Sequence, residues 1–169
     1  EDKKMGDPSL PEIALGRLAA KKPQTHLHEQ VEKLKKAGGK VLLGCELPQG
    51  AGAFYPPSLL VFEDNPALLA TEELFGPVAV VIKAQNEEEA LSIANSSIYG
   101  LGAALFSQNL NQAKKMAALI ESGFVTINEQ VKSDARLPFG GVKDSGYGRE
   151  LSHFGLYEFC NIKSLGINA

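Results

Sequence analysis

The sequence predicts an α/β fold in which short strands alternate with helices. The continuous apolar run Val78–Ile82 has the length of a strand that is buried on both faces of a sheet. Two further apolar segments follow it, each after a stretch with helical periodicity. Short connections join these elements, and such units pair their strands in parallel through right-handed crossovers. We therefore expect a layered domain with ligand-binding loops beyond the carboxyl ends of its strands.

The first half of the chain predicts one helix and two strands. Residues 1–23 contain three prolines, two glycines and no sustained periodicity, which is typical of a loop. Apolar residues then recur at spacings of three and four, and Gly38–Gly39 is expected to end this helix. Its apolar face consists of Leu27, Val31, Leu34 and Ala37. Strands are predicted at Val41–Leu43 and Leu59–Phe62, on either side of a Gly- and Pro-rich region.

Two helices of the second half are predicted from their N-caps. Asn86 caps the first, with Glu89 as its capping-box partner, and this helix runs to about Asn95. Asn109 caps the second, and Gly123 is expected to end it in the left-handed conformation. The remaining predicted elements are strands at Ala103–Phe106 and Phe124–Ile127, a short helix near Glu150–Phe159, and a terminal strand at Ile162–Ile167.

Composition and charge exclude several classes of protein. The net charge of −3 comes without a basic stripe, so we do not expect nucleic acid as a partner. No apolar run approaches the roughly 20 residues of a membrane span, and no signal peptide opens the chain. Cys45 and Cys160 lie outside any Cys/His cluster, so neither a metal site nor a disulfide framework is predicted. A reducing, cytoplasmic setting is the expectation.

Three segments carry a specific resemblance. They are Gly6-Asp7-Pro8, the run Glu-Glu-Leu-Phe-Gly-Pro-Val at Glu72–Val78, and the run Pro-Phe-Gly-Gly-Val-Lys-Asp-Ser-Gly-Tyr-Gly-Arg-Glu at Pro138–Glu150. In this order and at this spacing they resemble the aldehyde dehydrogenase superfamily, over almost the whole chain. The closing segment, residues 152–162, is similar to the bacterial NAD(P)-dependent succinate-semialdehyde dehydrogenases.

The resemblance implies a three-layer, parallel-sheet catalytic domain. Residues 1–159 would form its C-terminal part, and residues 160–169 an oligomerisation strand. It implies NAD or NADP as the cofactor, an aldehyde as the substrate, and a homo-oligomer, either a dimer or a tetramer. The family's nucleophilic cysteine, general-base glutamate and Gly-rich dinucleotide loop precede the Gly-Asp-Pro segment, and none is found here. We therefore expect the isolated chain to be a catalytically inactive fragment.

Two residues are predicted to contact the cofactor. By resemblance, Glu73 accepts hydrogen bonds from the hydroxyls of the nicotinamide ribose, a role that suits an acceptor-only carboxylate. Phe75 offers a flat apolar face to the nicotinamide ring. The alternative is that Glu72 and Glu73 are solvated charges and that Phe75 belongs to the core.

Substrate contacts are expected in the segment that leads into the Pro138–Glu150 motif. By resemblance, Phe139 lines the aldehyde tunnel, and Ser133 hydrogen-bonds a distal carboxylate of the substrate. Arg136 offers a bidentate carboxylate partner in principle, but an ion pair with Asp134 is the favoured interpretation. Asn128 is expected to tie loop backbone together. Gly140 and Gly141 are expected to let the loop approach a ligand closely.

The remaining reactive side chains are given structural interpretations. Cys45 and Cys160 have no base or cation placed by sequence to lower a thiol pKa, so both are predicted to be small buried hydrophobes. His26 and His28 are expected at the surface.

Two classes of function stay open. The chain is either part of an NAD(P)-dependent aldehyde dehydrogenase, or a non-catalytic truncated relative that serves as an oligomerisation or binding module. A stand-alone nucleotide-binding protein is set aside, because the connections at Lys83–Gln85 and Ser107–Gln108 lack glycine.

Overall fold

The structure, a computed structural model, describes residues 4–168 and has a mixed α/β fold, as predicted. These residues fall into two compact units that divide between Asn86 and Glu87. The outermost residues of the two predicted domains, 1–3 and 169, lie outside the described residues. Among the described residues, no helix has the length and apolar character needed to cross a lipid bilayer.

The first unit is built on a three-stranded sheet and one long helix. In chain order its described elements are β1 (Lys4–Met5), β2 (Ile13–Leu15), α1 (Lys21–Lys36), β3 (Lys40–Leu43), β4 (Ser58–Phe62), a 3-10 helix (Ala67–Ala70) and β5 (Val78–Ile82). The sheet order is β3-β4-β5, with β3 antiparallel and β5 parallel to β4. The strands β1 and β2 form a separate parallel pair, inside the segment that was expected to be a loop.

The predicted helix is confirmed as α1, but it begins earlier than expected, at Lys21. Pro23 lies in its first turn, where a backbone N–H has no partner within the helix, so the missing donor breaks no helical bond. The helix ends as predicted. Gly38 takes a φ of 99°, and the Gly39 N–H donates to the Leu34 carbonyl at 2.9 Å.

The core of the first unit lies between α1 and the sheet. Its buried members are Leu27, Val31, Leu34, Cys45, Tyr55, Leu60 and Phe62. Cys45 is therefore a buried small hydrophobe, as predicted. On β5, Val78, Val80 and Ile82 pack against this core, whereas Ala79 and Val81 are exposed. The expectation that β5 is buried on both faces is thus wrong, because only one face of the strand packs against this core.

The buried phenol of Tyr55 makes the stability of this core sensitive to high pH. Burial, with the nearby charges of Cys45 and Glu32, raises the pKa of Tyr55 from its ordinary value of 10.0 to about 12. Because the folded-state pKa is the higher one, the stabilising contribution is fully present below pH 10 and is lost as pH rises from 10 through 12. We expect a loss of about 2 kcal/mol of unfolding free energy by pH 12 from this group.

The variant Tyr55→Phe tests this expectation, because it removes the ionising hydroxyl and keeps the ring in the core. The hydroxyl also lies 3.1 Å from His28 Nδ1, but His28 is half-exposed and can bond water instead. The difference in unfolding free energy between wild type and variant, measured by denaturant titration from pH 8 to 12, should fall above pH 10. A difference that stays constant with pH would contradict the prediction.

The second unit contains two small strand pairs and three helices among its described residues. Its elements are α2 (Glu87–Asn95), β6 (Tyr99–Gly100), β7 (Gly102–Leu105), α3 (Leu110–Ala117), β8 (Phe124–Ile127), β9 (Val142–Lys143) and α4 (Ser152–Tyr157). β7 and β8 are parallel and are joined through α3, as the strand–helix–strand pattern predicted. β6 and β9 are antiparallel.

The N-cap of α3 is confirmed, but its predicted end is not. Asn109 Oδ1 accepts from the Gln112 N–H at 3.2 Å, and Ala113 on the predicted apolar face is buried. The helix ends at Ala117, and Gly123 does not have the positive φ of a left-handed residue. Gly123 is instead required by close packing, because a Cβ there would overlap the carbonyl of Gly140.

The C-terminal segment exposes apolar side chains. After α4, residues 160–168 form neither helix nor strand within the described chain. From α4 onwards, the exposed apolar residues are Phe154, Leu156, Tyr157, Phe159, Ile162, Leu165 and Ile167. Cys160 is also exposed, so its predicted burial is wrong for this chain; it begins a segment in which all described residues are exposed. The predicted strand at Ile162–Ile167 is thus not formed within the described chain, and its pairing with another chain stays a prediction.

Candidate functional site

The segment between the 3-10 helix and β5 carries the two predicted cofactor contacts. It is held against α1 by close packing: a Cβ at Gly76 would overlap the side chain of Leu27. Gln30 of α1, which is buried, donates from its side-chain amide to the Glu72 carboxylate and to the Glu73 carbonyl. The Glu72 side chain and the Glu73 backbone are therefore anchored to α1. No pattern in the sequence indicated this role of Gln30.

The two adjacent glutamates have different environments. Glu72 accepts hydrogen bonds from Gln30 and from Lys33, and these interactions lower the pKa of its carboxyl group. Glu73 is exposed, and none of the described residues donates to its carboxylate. The alternative interpretation, that both glutamates are solvated charges, is thus wrong for Glu72. Glu73 presents an acceptor-only group with its full hydrogen-bonding capacity available.

The ring of Phe75 borders a cavity rather than belonging to the core. Its exposed fraction is 73%, which excludes the alternative that it is a core residue. The cavity has a volume of about 270 Å³ and is lined by Lys22, Pro23, His26, Leu27, Gln30 and Phe75. His26 is exposed, as predicted, and contributes to this lining. The first half of α1 thus shares the cavity with Phe75, which its amphipathic pattern did not reveal.

This arrangement fits the nicotinamide end of a dinucleotide. A ribose needs an accessible acceptor for its hydroxyls, and Glu73 provides one on anchored backbone. A nicotinamide ring needs a flat apolar surface, and the exposed Phe75 ring lies two residues further along the same segment.

In the second unit, the segment 129–137 forms an anchored turn. The Leu137 N–H donates to the Asp134 carbonyl at 2.9 Å, and the Ser152 N–H donates to the Ala135 carbonyl at 3.0 Å. The Asp134 carboxylate pairs with the Arg136 guanidinium, as predicted, at 2.6 Å from Nη2. The side-chain and backbone hydrogen bonds from Arg136 hold the pKa of the Asp134 carboxyl well below its usual range. Ser133 is exposed on this turn.

Phe139 stands at the start of a loop that is closed on itself. Its backbone exchanges two hydrogen bonds of 2.8 Å with Glu150, at the other end of the motif. Its ring meets Phe124 edge-on, with centroids 6.0 Å apart. Phe139 is half-buried, so its burial agrees both with a role in lining the aldehyde tunnel and with a role as a loop anchor.

Arg149 completes the closure of this loop. Its Nη1 donates to the carbonyls of Gly141, at 2.8 Å, and Gly148, at 2.6 Å. A Cβ at Gly140 would approach the Gly148 carbonyl, and one at Gly141 would approach Ser145. The two glycines therefore allow the motif to pack on itself, whereas the sequence predicted that they serve approach to a ligand. Asn128 ties loop backbone together as predicted, since its side-chain amide bonds the N–H and the carbonyl of Ser107, each at 2.8 Å.

Comparisons with known proteins identify the family to which this chain belongs. The aldehyde dehydrogenase family model matches residues 1–165. This chain belongs to the aldehyde dehydrogenase family.

The most informative relatives are succinate-semialdehyde dehydrogenases. The succinate semialdehyde dehydrogenase Sad of Escherichia coli K12, which is named for NAD(P)+, is 50% identical over 162 residues, covering 96% of this chain and 35% of its own length. The NADP(+) succinate-semialdehyde dehydrogenase of Deinococcus radiodurans is 44% identical over 158 residues, covering 94% of this chain and 33% of its own length. The resemblance that the sequence motifs predicted is confirmed.

Solved structures give the same result. Succinic semialdehyde dehydrogenase from Streptococcus pyogenes, in complex with NADP+, matches with a TM-score of 0.91 and 38% identity over 99% of this chain and 37% of that one. An aldehyde dehydrogenase from Mycobacterium tuberculosis complexed with NAD+ matches with a TM-score of 0.86 and 34% identity, over 93% of this chain and 33% of that one. The chain thus spans about a third of the length of its relatives.

Proposed function

We propose that this chain is part of an NAD(P)-dependent aldehyde dehydrogenase that oxidises succinate semialdehyde to the dicarboxylic acid. The observation that carries the proposal is the exposed carboxylate of Glu73, which accepts no hydrogen bond from the described residues. The exposed ring of Phe75 lies on the same segment, and Gln30 anchors the backbone of this segment at Glu73. The names of the relatives support both the substrate and the cofactor.

In this proposal the chain supplies positioning rather than covalent chemistry. NAD(P)+ supplies the hydride acceptor when bound. Glu73 accepts hydrogen bonds from the ribose hydroxyls and so fixes the position of the nicotinamide. Phe75 limits the tilt of the ring. We place the cysteine nucleophile, which forms the thiohemiacetal and thioester, in the part of the relatives that this chain does not span.

Within the second unit, we assign contacts with the aldehyde to Phe139 and Ser133. Phe139 excludes water from the reacting carbon, and the Ser133 hydroxyl donates to the distal carboxylate of the substrate. Both residues are on segments held by backbone hydrogen bonds, which suits residues that must keep a fixed position.

An assay of aldehyde oxidation by the full-length protein tests this function directly. Purified protein should reduce NAD+ or NADP+ in the presence of succinate semialdehyde, and the absorbance of the reduced nicotinamide measures the rate. The isolated 169-residue chain is the control and should show no turnover. Absence of aldehyde oxidation by the full-length protein with either cofactor would overturn the proposal and favour a non-catalytic oligomerisation or binding module.

We also propose that residues 160–169 form a strand that pairs with another copy of the chain in a homodimer or homotetramer. The exposed apolar side chains of Phe159, Ile162, Leu165 and Ile167 support this, because an unpartnered apolar segment is normally covered in an assembly.

The two free cysteines are consistent with a cytoplasmic location.

Shortening the chain after Phe159 tests the assembly. The full-length protein should sediment as a dimer or tetramer, and the shortened variant should shift towards monomer. If both sediment identically, the strand has no part in assembly.

A further inference from the structure

The Asp134–Arg136 pair is built in a way that stability alone does not explain. The Asp134 carboxylate accepts from the Arg136 backbone N–H at 2.9 Å, from Nε at 3.0 Å and from Nη2 at 2.6 Å. The Arg136 side chain is nevertheless 87% exposed. An exposed ion pair adds little to stability, because water and salt screen it. What these bonds do achieve is a fixed orientation of the guanidinium relative to its own backbone.

The fixed guanidinium keeps a second donor edge. A guanidinium has five N–H donors, and carboxylates can bind it along the Nε/Nη2 edge or along the Nη1/Nη2 edge. Asp134 occupies the first edge. None of the described residues accepts a hydrogen bond from Nη1 of Arg136. The Nη1/Nη2 edge therefore remains available to a carboxylate ligand.

Arg136 lies on the same short segment as the residue that we assign to the substrate carboxylate. Ser133, which we assign to the distal carboxylate, is exposed and directly precedes Asp134. The turn itself is anchored through Asp134 and Ala135, so the orientation of Arg136 does not depend on a mobile backbone.

We propose that Arg136, oriented by Asp134, binds the carboxylate at the far end of the aldehyde substrate together with Ser133. This inference rests on the proposed function and adds a specificity-determining residue to it. The substrate class is a short aldehyde that carries a carboxylate, and the contact is a charge-assisted, bidentate hydrogen bond.

The test uses the full-length protein and two aldehydes of equal chain length. Succinate semialdehyde carries the distal carboxylate, and butanal lacks it. Arg136→Ala should raise the KM for succinate semialdehyde about 10- to 100-fold and leave the KM for butanal unchanged. Arg136→Lys keeps the charge and loses the fork, so it should restore part of the affinity for succinate semialdehyde.

Lys132→Ala is the matched control, because Lys132 is an exposed cation in the same segment. It should leave both KM values unchanged. An equal effect of Lys132→Ala and Arg136→Ala would show general charge attraction and overturn the inference, as would an Arg136→Ala effect of the same size on both aldehydes, or none. A wild-type protein that oxidises neither aldehyde would instead overturn the proposed function, so the two failures are distinguishable.

Discussion

Replacing Glu73 with glutamine in the full-length protein should lower the rate of hydride transfer about 10- to 100-fold and leave the KM for the aldehyde nearly unchanged. The reason is that a carboxylate can accept from two ribose hydroxyls at once, whereas an amide has one acceptor oxygen and no charge. Hydrogen bonds to a charged group are worth about 1.5–3 kcal/mol, and about 1.4 kcal/mol corresponds to a tenfold change in rate. Single-turnover measurement of nicotinamide reduction gives the rate.

Glu72→Gln is the control for this prediction. The two residues are adjacent and differ in their partners, since Glu72 is already engaged by Gln30 and Lys33. The Glu72 variant should keep normal cofactor kinetics and lose some stability, because it breaks a contact between the segment and α1. If the Glu73 variant keeps normal kinetics, or if both variants are slowed equally, Glu73 does not hold the ribose.

Replacing Gly123 with alanine should destabilise the protein by about 1–3 kcal/mol or more and slow aldehyde oxidation as well. The added Cβ would overlap the Gly140 carbonyl and lie close to Gly141. These are backbone atoms, and the loop that carries them is closed by Arg149 and by the Phe139–Glu150 bonds, so it cannot yield locally. Because Phe139 directly precedes Gly140, displacement of this carbonyl should also move Phe139, which we assign to contacts with the aldehyde.

Gly166→Ala provides the comparison, because no atom lies within 4 Å of a Cβ at that position. Its thermal midpoint should match that of the wild type. The Gly123 variant should unfold at a lower temperature and show reduced turnover below that temperature. An unchanged thermal midpoint for Gly123→Ala would mean that the loop moves freely. The motif would then not be closed rigidly on itself.

Local patterns were sufficient for most of the elements. The periodicity of α1, the glycines after it, the cap at Asn109 and the apolar strands are each set by residues close together in the chain. The errors have a common origin. The second face of β5 and the role of Gly123 depend on what distant segments place beside them. The exposure of Cys160 depends in the same way on whether another segment covers it.

In the candidate site, too, some features follow from local sequence and others depend on segments distant in the chain. Motif order alone indicated the family and directed attention to Glu73, Phe75, Ser133 and Phe139. It did not distinguish Glu72 from Glu73, since both are acidic residues in the same short run. The distinction comes from Gln30, more than forty residues earlier, whose buried amide binds the Glu72 carboxylate and the Glu73 backbone.

By itself, the sequence determined the α/β class, the family and the segments that carry the site, because local periodicity and motif spacing encode these directly. Only the tertiary structure decided which acidic group is available to a ligand, that the Gly-rich motif packs on itself, and that Arg136 retains a donor edge after pairing with Asp134. Those properties depend on burial and on hydrogen-bond partners, and partners distant in the chain become neighbours only when it folds.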